Sequence, residues 1–370
     1  MTQKPDHVRL YIPGPIEVRK EVLEAQTEWM IGHRSKAFAD LYGRLQPKLQ
    51  QSFYTQNRVF IFTSSGTGVW EAASRNCVRD EGRILHLVCG SFSERWAEVS
   101  QLNGKQVDVL EVEWGLPIVA EQLADALKQK HYDAVACVYN ETSSGVINPL
   151  AEYAKVMEGY QDTLFLVDTV SCYMGAPLFV DEWGIDICLT STQKAFGLPP
   201  GMAFGTISQA VLDRAKTVKN RGYYFDLIEM DKHHQKNNTP ATPPVSLMFA
   251  ADKQLNDILA EGIPNRMARH QHLAEMTRAW GTSAGFGLLA PEGYRSPTLT
   301  VFENTLKVDI KALNGFLRGR GMEIADGYGK LKDRTFRIAH MGDMQPTHME
   351  ELFANIDDYL ATNHNGNGAN

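Results

Sequence analysis

No run of 18 apolar residues occurs in this 370-residue chain, so no membrane-spanning helix is expected. No CxxC pair is present. The five cysteines (Cys77, Cys89, Cys137, Cys172 and Cys188) are odd in number and mostly lie in apolar runs. They read as buried thiols of a reducing compartment. The eleven histidines lack metal-ligand spacing; His233-His234 and His270/His272 sit among polar residues and read as solvated, so no metal is expected. There is no basic stripe: 37 Lys+Arg against 44 Asp+Glu leave a charge of −7 spread along the chain, which disfavours nucleic acid. Residues 1–7 lack the apolar centre of a secretory leader, and a cytoplasmic setting is the expectation. No internal repeat is visible.

Hydrophobic residues make up 43%, enough for a substantial core, and the length fits a large domain with a smaller one attached. Residues 1–15 read as extended, ending in the turn Ile12-Pro13-Gly14-Pro15. Helices are expected over 17–30 and 36–53. Strands over 59–63, 84–88, 107–112 and 134–139 then alternate with helices over 67–79, 92–103, 120–128 and 150–158. Further strands follow at 164–167, 187–190 and 203–208. This is an α/β pattern with a mainly parallel sheet, over 16–255. Ligands of such sheets collect at the carboxyl ends of the strands. Beyond about 255 the texture changes to a long charged helix (252–283), a strand (298–302), a helix (309–320), a strand (335–340) and a last helix (346–361). That reads as a smaller C-terminal α+β domain over 256–362. The Asn/Gly-rich tail, 363–370, reads as disordered.

Three features fall at strand ends. The loop Thr63-Ser64-Ser65-Gly66-Thr67-Gly68 joins a strand to a helix, where glycines and free N–H groups favour an anion. It has neither the Gly-Lys-Ser/Thr ending of a P-loop nor the G-x-G-x-x-G pattern. Asp168 closes an apolar strand. Lys194 follows another, in Ser191-Thr192-Gln193-Lys194, with apolar and Pro/Gly residues after it that favour partial desolvation and a lowered pKa. Together they form a layout able to hold pyridoxal phosphate: Lys194 for a Schiff base with the aldehyde, Asp168 for the pyridinium nitrogen, the loop for the phosphate. Asn140-Glu141-Thr142 follows the 134–139 strand and brings hydroxyls to the same edge. Arg337, inside an apolar strand, needs an anionic partner, which a substrate carboxylate or a structural ion pair could supply. His33-Arg34 and the rigid run Asn237 to Pro244 each read equally as a surface feature or a binding segment.

In this order, these residues resemble the class V aminotransferases of pyridoxal-phosphate fold type I, notably the alanine–glyoxylate, serine–glyoxylate and phosphoserine enzymes. The resemblance spans nearly the whole chain, from Pro13-Gly14-Pro15 to Phe336-Arg337-Ile338. It implies that Lys194 carries the cofactor and shuttles the substrate proton, and that Asp168 pairs with the ring nitrogen. Ser65, Gly66, Thr67 and Gln193 would hold the phosphate, and Thr142 would contact the ring hydroxyl. Phe92 would stack on the ring where the family often has Trp. Asn238 and Thr239 would reach the phosphate of a neighbouring subunit, implying a homodimer with shared active sites. Arg337 would bind the substrate carboxylate, with His33 and Arg34 near the substrate. Thr67 stands where many phosphoserine enzymes place an arginine. The expected reaction is therefore transfer from a small amino acid of alanine or serine type to glyoxylate or a similar 2-oxo acid. Phosphoserine with 2-oxoglutarate is the alternative. A lyase such as a cysteine desulfurase, or a non-catalytic phosphate-binding protein, is a remoter one; Gln193, where such lyases commonly have histidine, disfavours the former.

Overall fold

Four consecutive strands of the large sheet, Ala134–Val138, Leu164–Asp168, Ile187–Ser191 and Ala203–Ile207, are buried along their whole length. Apolar runs without alternation are what a sheet covered on both faces requires. The computed structural model describes residues 5–364. Its seven-stranded sheet runs in the order Arg58–Phe62, Ala203–Ile207, Ile187–Ser191, Leu164–Asp168, Ala134–Val138, Arg83–Val88, Gln106–Glu111. Only Ala203–Ile207 is antiparallel to its neighbours. One covering layer packs Phe38, Tyr42 and Tyr153 against the sheet. The other packs Trp70 and Trp96, whose rings stack at 5.7 Å. Among the described residues no helix is long and apolar enough to cross a membrane.

A second sheet orders Arg9–Tyr11, Met322–Asp326, Thr335–Ala339, Leu299–Glu303 and Gly287–Leu288 around a core of Phe286, Phe302 and Phe336. The expected extended N-terminus thus supplies a parallel edge strand to this sheet before crossing to the large one.

Several expectations need correction. The helix over 17–30 is only Lys20–Glu24 plus a 3₁₀ turn, Ala25–Thr27. Val22 is its one buried side chain, too little apolar face to sustain more turns. The helix over 252–283 is two, Val245–Glu261 and Ile263–Ala284, broken at Gly262 with φ +86° and restarted by Pro264. The strand Met322–Asp326 and the helix Leu227–His234 were not expected. His270 is fully buried on the inward stripe of its helix, its Nδ1 against the Arg266 carbonyl at 2.8 Å, and burial pushes its pKa well down. His233 and His234 are half-buried, and only His272 of the four is exposed. The last helix, Pro346–His364, runs into the expected tail, whose remainder (365–370) lies outside the described residues.

Candidate functional site

Asp168 is the last residue of its strand, between Val138 and Leu189 of the flanking strands. Its carboxylate is almost wholly buried. Oδ2 accepts the Trp70 Nε1–H at 2.7 Å and Oδ1 accepts the Val170 N–H at 2.8 Å. Burial pushes its pKa up to about 7 against the pull of those two bonds. Trp70, one turn into the helix Gly66–Cys77, looks in sequence like an ordinary core residue; nothing there signals its bond to Asp168.

Lys194 leaves the neighbouring strand at the same edge. Its Nζ donates to the Pro13 carbonyl at 2.5 Å. Burial lowers its pKa to about 8, with the Arg337 charge adding to the fall and Asp168 opposing it. Gly14, with φ +140°, lies so close to the lysine that a Cβ would collide with it. The Pro13-Gly14-Pro15 turn, expected only as an entry to the body, therefore walls in the amine.

The loop 63–68 begins the helix Gly66–Cys77 at the same edge. Ser65 is its N-cap residue, and its hydroxyl makes no capping bond. A Cβ on Gly66 would meet Val170 at 3.0 Å, so glycine lets the helix end approach the strand ends. Ser65, Gly66, Thr67, Phe92, Thr142, Asp168, Gln193 and Lys194 all line one narrow cavity of about 80 Å³. It opens into a cleft of about 720 Å³ lined by Pro13, Arg95, Tyr328 and Arg337.

Glu141 organises one wall. Fully buried, its carboxylate accepts N–H bonds from Phe92, Ser93 and Ser143 and hydroxyl bonds from Ser93 and Ser143. An anion at the start of the helix Ser91–Leu102 suits the helix dipole and fixes Phe92. Phe92 stacks on Tyr328 at 5.5 Å and 24°. Asn140 Oδ1 is buried in the same wall with no hydrogen-bond partner among the described residues. Of these, Asn140 and Glu141 belonged to a motif already singled out, whereas Tyr328 carried no sequence signal.

Arg337 sits mid-strand in Thr335–Ala339, 8% exposed. Its Nε donates to the Asp326 carbonyl at 2.9 Å, and Nη1 reaches the Thr142 carbonyl only at 3.5 Å. Burial lowers its pKa to about 10. Among the described residues it has no carboxylate within ion-pair distance, so a structural salt bridge does not account for it.

His33, Arg34, Asn238 and Thr239 are not brought to Lys194 within this subunit. Arg34 donates to Asn238 Oδ1 at 2.5 Å and to the carbonyls of Thr239 and Pro240 at 2.6 and 2.9 Å. His33 Nε2 lies 3.4 Å from Thr242 Oγ1. These oxygens engage both terminal nitrogens of the guanidinium, and the four residues form a cluster that does not line the cavity.

A sequence model of the family described as aminotransferase class-V matches residues 18–328. The chain is 32% identical to an L-aspartate–glyoxylate aminotransferase of Paracoccus denitrificans, over 90% of this chain and 86% of that one. It is 31% identical to a serine–glyoxylate aminotransferase of Methylorubrum extorquens, over 93% and 88%. A solved structure of an alanine–glyoxylate aminotransferase from Nostoc sp. superposes with a TM-score of 0.91 at 28% identity, covering 97% of both chains.

Proposed function

Since the chain belongs to the class-V aminotransferases and its cofactor is pyridoxal phosphate, we propose that it transfers the amino group of a small amino acid to glyoxylate. The observation that carries this reading is the buried Lys194 amine sharing one cavity with buried Asp168, below an arginine that has no anion of its own.

The residues present fit the cofactor. Asn140 Oδ1 needs a donor, which a ring hydroxyl offers beside Thr142. Asp168 suits a protonated ring nitrogen, and that cation would draw its raised pKa back down. Ser65, Gly66, Thr67 and Gln193 offer hydroxyl, amide and helix-terminal donors for the phosphate. Phe92 covers the ring face. When bound, the cofactor supplies a carbonyl that exchanges amines and a ring that delocalises the electron pair released at the substrate α-carbon. Arg337 holds the substrate carboxylate. Lys194, neutral in a large fraction near pH 8, would take the α-proton and return it two atoms along, to the carbon of the cofactor's former carbonyl. Asp168 keeps the proton on the ring nitrogen. The Pro13-Gly14-Pro15 turn and Phe92 keep water from the exchange.

We further infer a homodimer in which Asn238 and Thr239 reach the phosphate of the partner's site. Arg34 pins that loop through Asn238 and Thr239, and Trp29 (92% exposed), Met30 and Tyr223 offer apolar area to a second copy that would cover it. The five free, buried cysteines support a reducing, cytoplasmic setting. They also leave no mobile thiol for a desulfurase. For phosphoserine, the Arg34 guanidinium is already engaged and Thr67 brings no charge.

Alanine, serine, aspartate, glutamate and phosphoserine, given singly, test the reading. At least one of the small amino acids should convert the holoenzyme's visible spectrum to the amine form, and glyoxylate should restore it. Conversion by phosphoserine with 2-oxoglutarate alone would contradict it. Arg337→Ala is expected to raise KM for the donor about 10- to 100-fold, since the carboxylate loses a two-pronged charged partner; an unchanged KM would move the carboxylate site elsewhere. Covalent capture of pyridoxal phosphate by the apoprotein needs the neutral Lys194 amine. Its pKa is lowered, so the rate should climb with pH and level off just above about 8. A climb continuing through pH 10, measured by stopped-flow absorbance, would show an ordinary lysine.

A further inference from the structure

The cleft above Lys194 holds a second cation without an anion. Arg95 enters it from the helix Ser91–Leu102. Its Nη2 donates to the Tyr328 hydroxyl at 2.9 Å, and its Cζ lies 5.5 Å from the Phe92 ring centroid. Arg337 lies against the same tyrosine, its Cζ 5.2 Å from the ring centroid. Among the described residues neither guanidinium has a carboxylate within ion-pair distance. Elsewhere this fold supplies one: buried Arg266 meets Asp343 at 2.7 Å, and buried Arg214 meets Asp162 at 3.2 Å.

The carboxylates along the cleft are already engaged. Glu323 takes Arg318 at 2.5 Å, and Asp326 Oδ1 takes the Gly327 N–H at 2.7 Å. Glu94, beside Arg95 in sequence, takes Lys330 at 3.2 Å. Two cationic anchors therefore stand one phenol apart over the reactive amine. Lys194 Nζ lies 5.8 Å from the Phe92 centroid, so the amine and Arg95 flank the same ring. A monocarboxylic donor can satisfy only one anchor.

We propose that Arg95 binds a side-chain carboxylate, and that the preferred amino donor is a short 2-amino dicarboxylic acid. This rests on the aminotransferase reading of the same cleft and narrows its donor. With the α-carboxylate on Arg337 and the second carboxylate on Arg95, the amino group is directed to Lys194. The Tyr328 hydroxyl, accepting from Arg95, keeps its own proton to donate to the bound carboxylate. Transfer of the amino group to glyoxylate gives glycine and leaves a 2-oxo dicarboxylic acid.

Steady-state kinetics of the holoenzyme with glyoxylate and aspartate, glutamate, alanine or serine test this, alongside Arg95→Gln. The wild type should use a dicarboxylic donor with kcat/KM at least about 10-fold above alanine or serine. Arg95→Gln should lower that value about 100-fold through KM, with alanine changed less than about 3-fold. Cofactor affinity, read by absorbance titration, should be unchanged, and Arg95→Lys should recover part of the loss. A wild type that prefers alanine or serine would overturn the proposal. So would an Arg95→Gln enzyme slowed equally with every donor, or one with weakened cofactor binding; Arg95 would then only support Phe92, Tyr328 or the cofactor. Failure of every amino acid to react with the wild type would overturn the aminotransferase reading itself.

Discussion

Lys194→Ala is expected to lower kcat by at least about 10⁴-fold, because in the proposed mechanism the same amine both attaches the cofactor and carries the substrate proton. Among the described residues Lys194 is the one lysine lining the cavity with Asp168, so no neighbour there can take over. Its Nζ bonds to the Pro13 carbonyl, and Asp168, which loses a nearby cation, keeps its Trp70 and Val170 donors. The variant should therefore fold, with a Tm within a few degrees of the wild type, and still bind the cofactor without a covalent link. A small primary amine added to the solution should restore part of the proton-transfer rate. Retention of more than about 1% of the wild-type kcat, measured by single-turnover absorbance, would remove Lys194 from the chemistry.

Asp168→Asn carries the second large effect. In the proposed role, the negative charge of Asp168 would face the ring nitrogen and stabilise the charge that develops during proton removal, and such groups are commonly worth about 10²- to 10³-fold in kcat. Asparagine keeps the shape and loses the charge. It also has one acceptor where the carboxylate has two, so either the Trp70 indole or the Val170 N–H loses its partner. The expected result is a kcat lowered about 10²- to 10³-fold with a donor KM changed much less. Asp168→Glu should not rescue it, since the added methylene pushes the carboxylate into the cavity and off the Trp70 and Val170 donors. A kcat within about 3-fold of wild type would show that the ring nitrogen needs no anion here.

What could be read from the sequence is what depends on local pattern. Asp168 and Lys194 stand out because one closes and the other closely follows a mainly apolar strand, and a parallel sheet brings such ends to one edge. The loop 63–68 is legible for the same reason. The rest depends on tertiary neighbours. Gly14 lies against Lys194 from 180 positions away, and Tyr328 follows a strand, Met322–Asp326, whose mixed polarity hides it. Trp70 reads as core because it is core, and its indole N–H still finds Asp168. Arg95 carries no sequence signal, and it stands out only once the carboxylates near it are seen to be engaged elsewhere. His270 was misjudged because polar neighbours in sequence do not share its face of the helix. Arg34 and Asn238 carry no local pattern that tells a binding segment from a surface one, and within one subunit their side chains bind each other.

The most direct test reduces the purified protein with borohydride in the presence of pyridoxal phosphate and maps the modified peptide by mass spectrometry. A single pyridoxyl adduct on Lys194 is the expected result. An adduct on any other lysine, or none at all, would contradict the account.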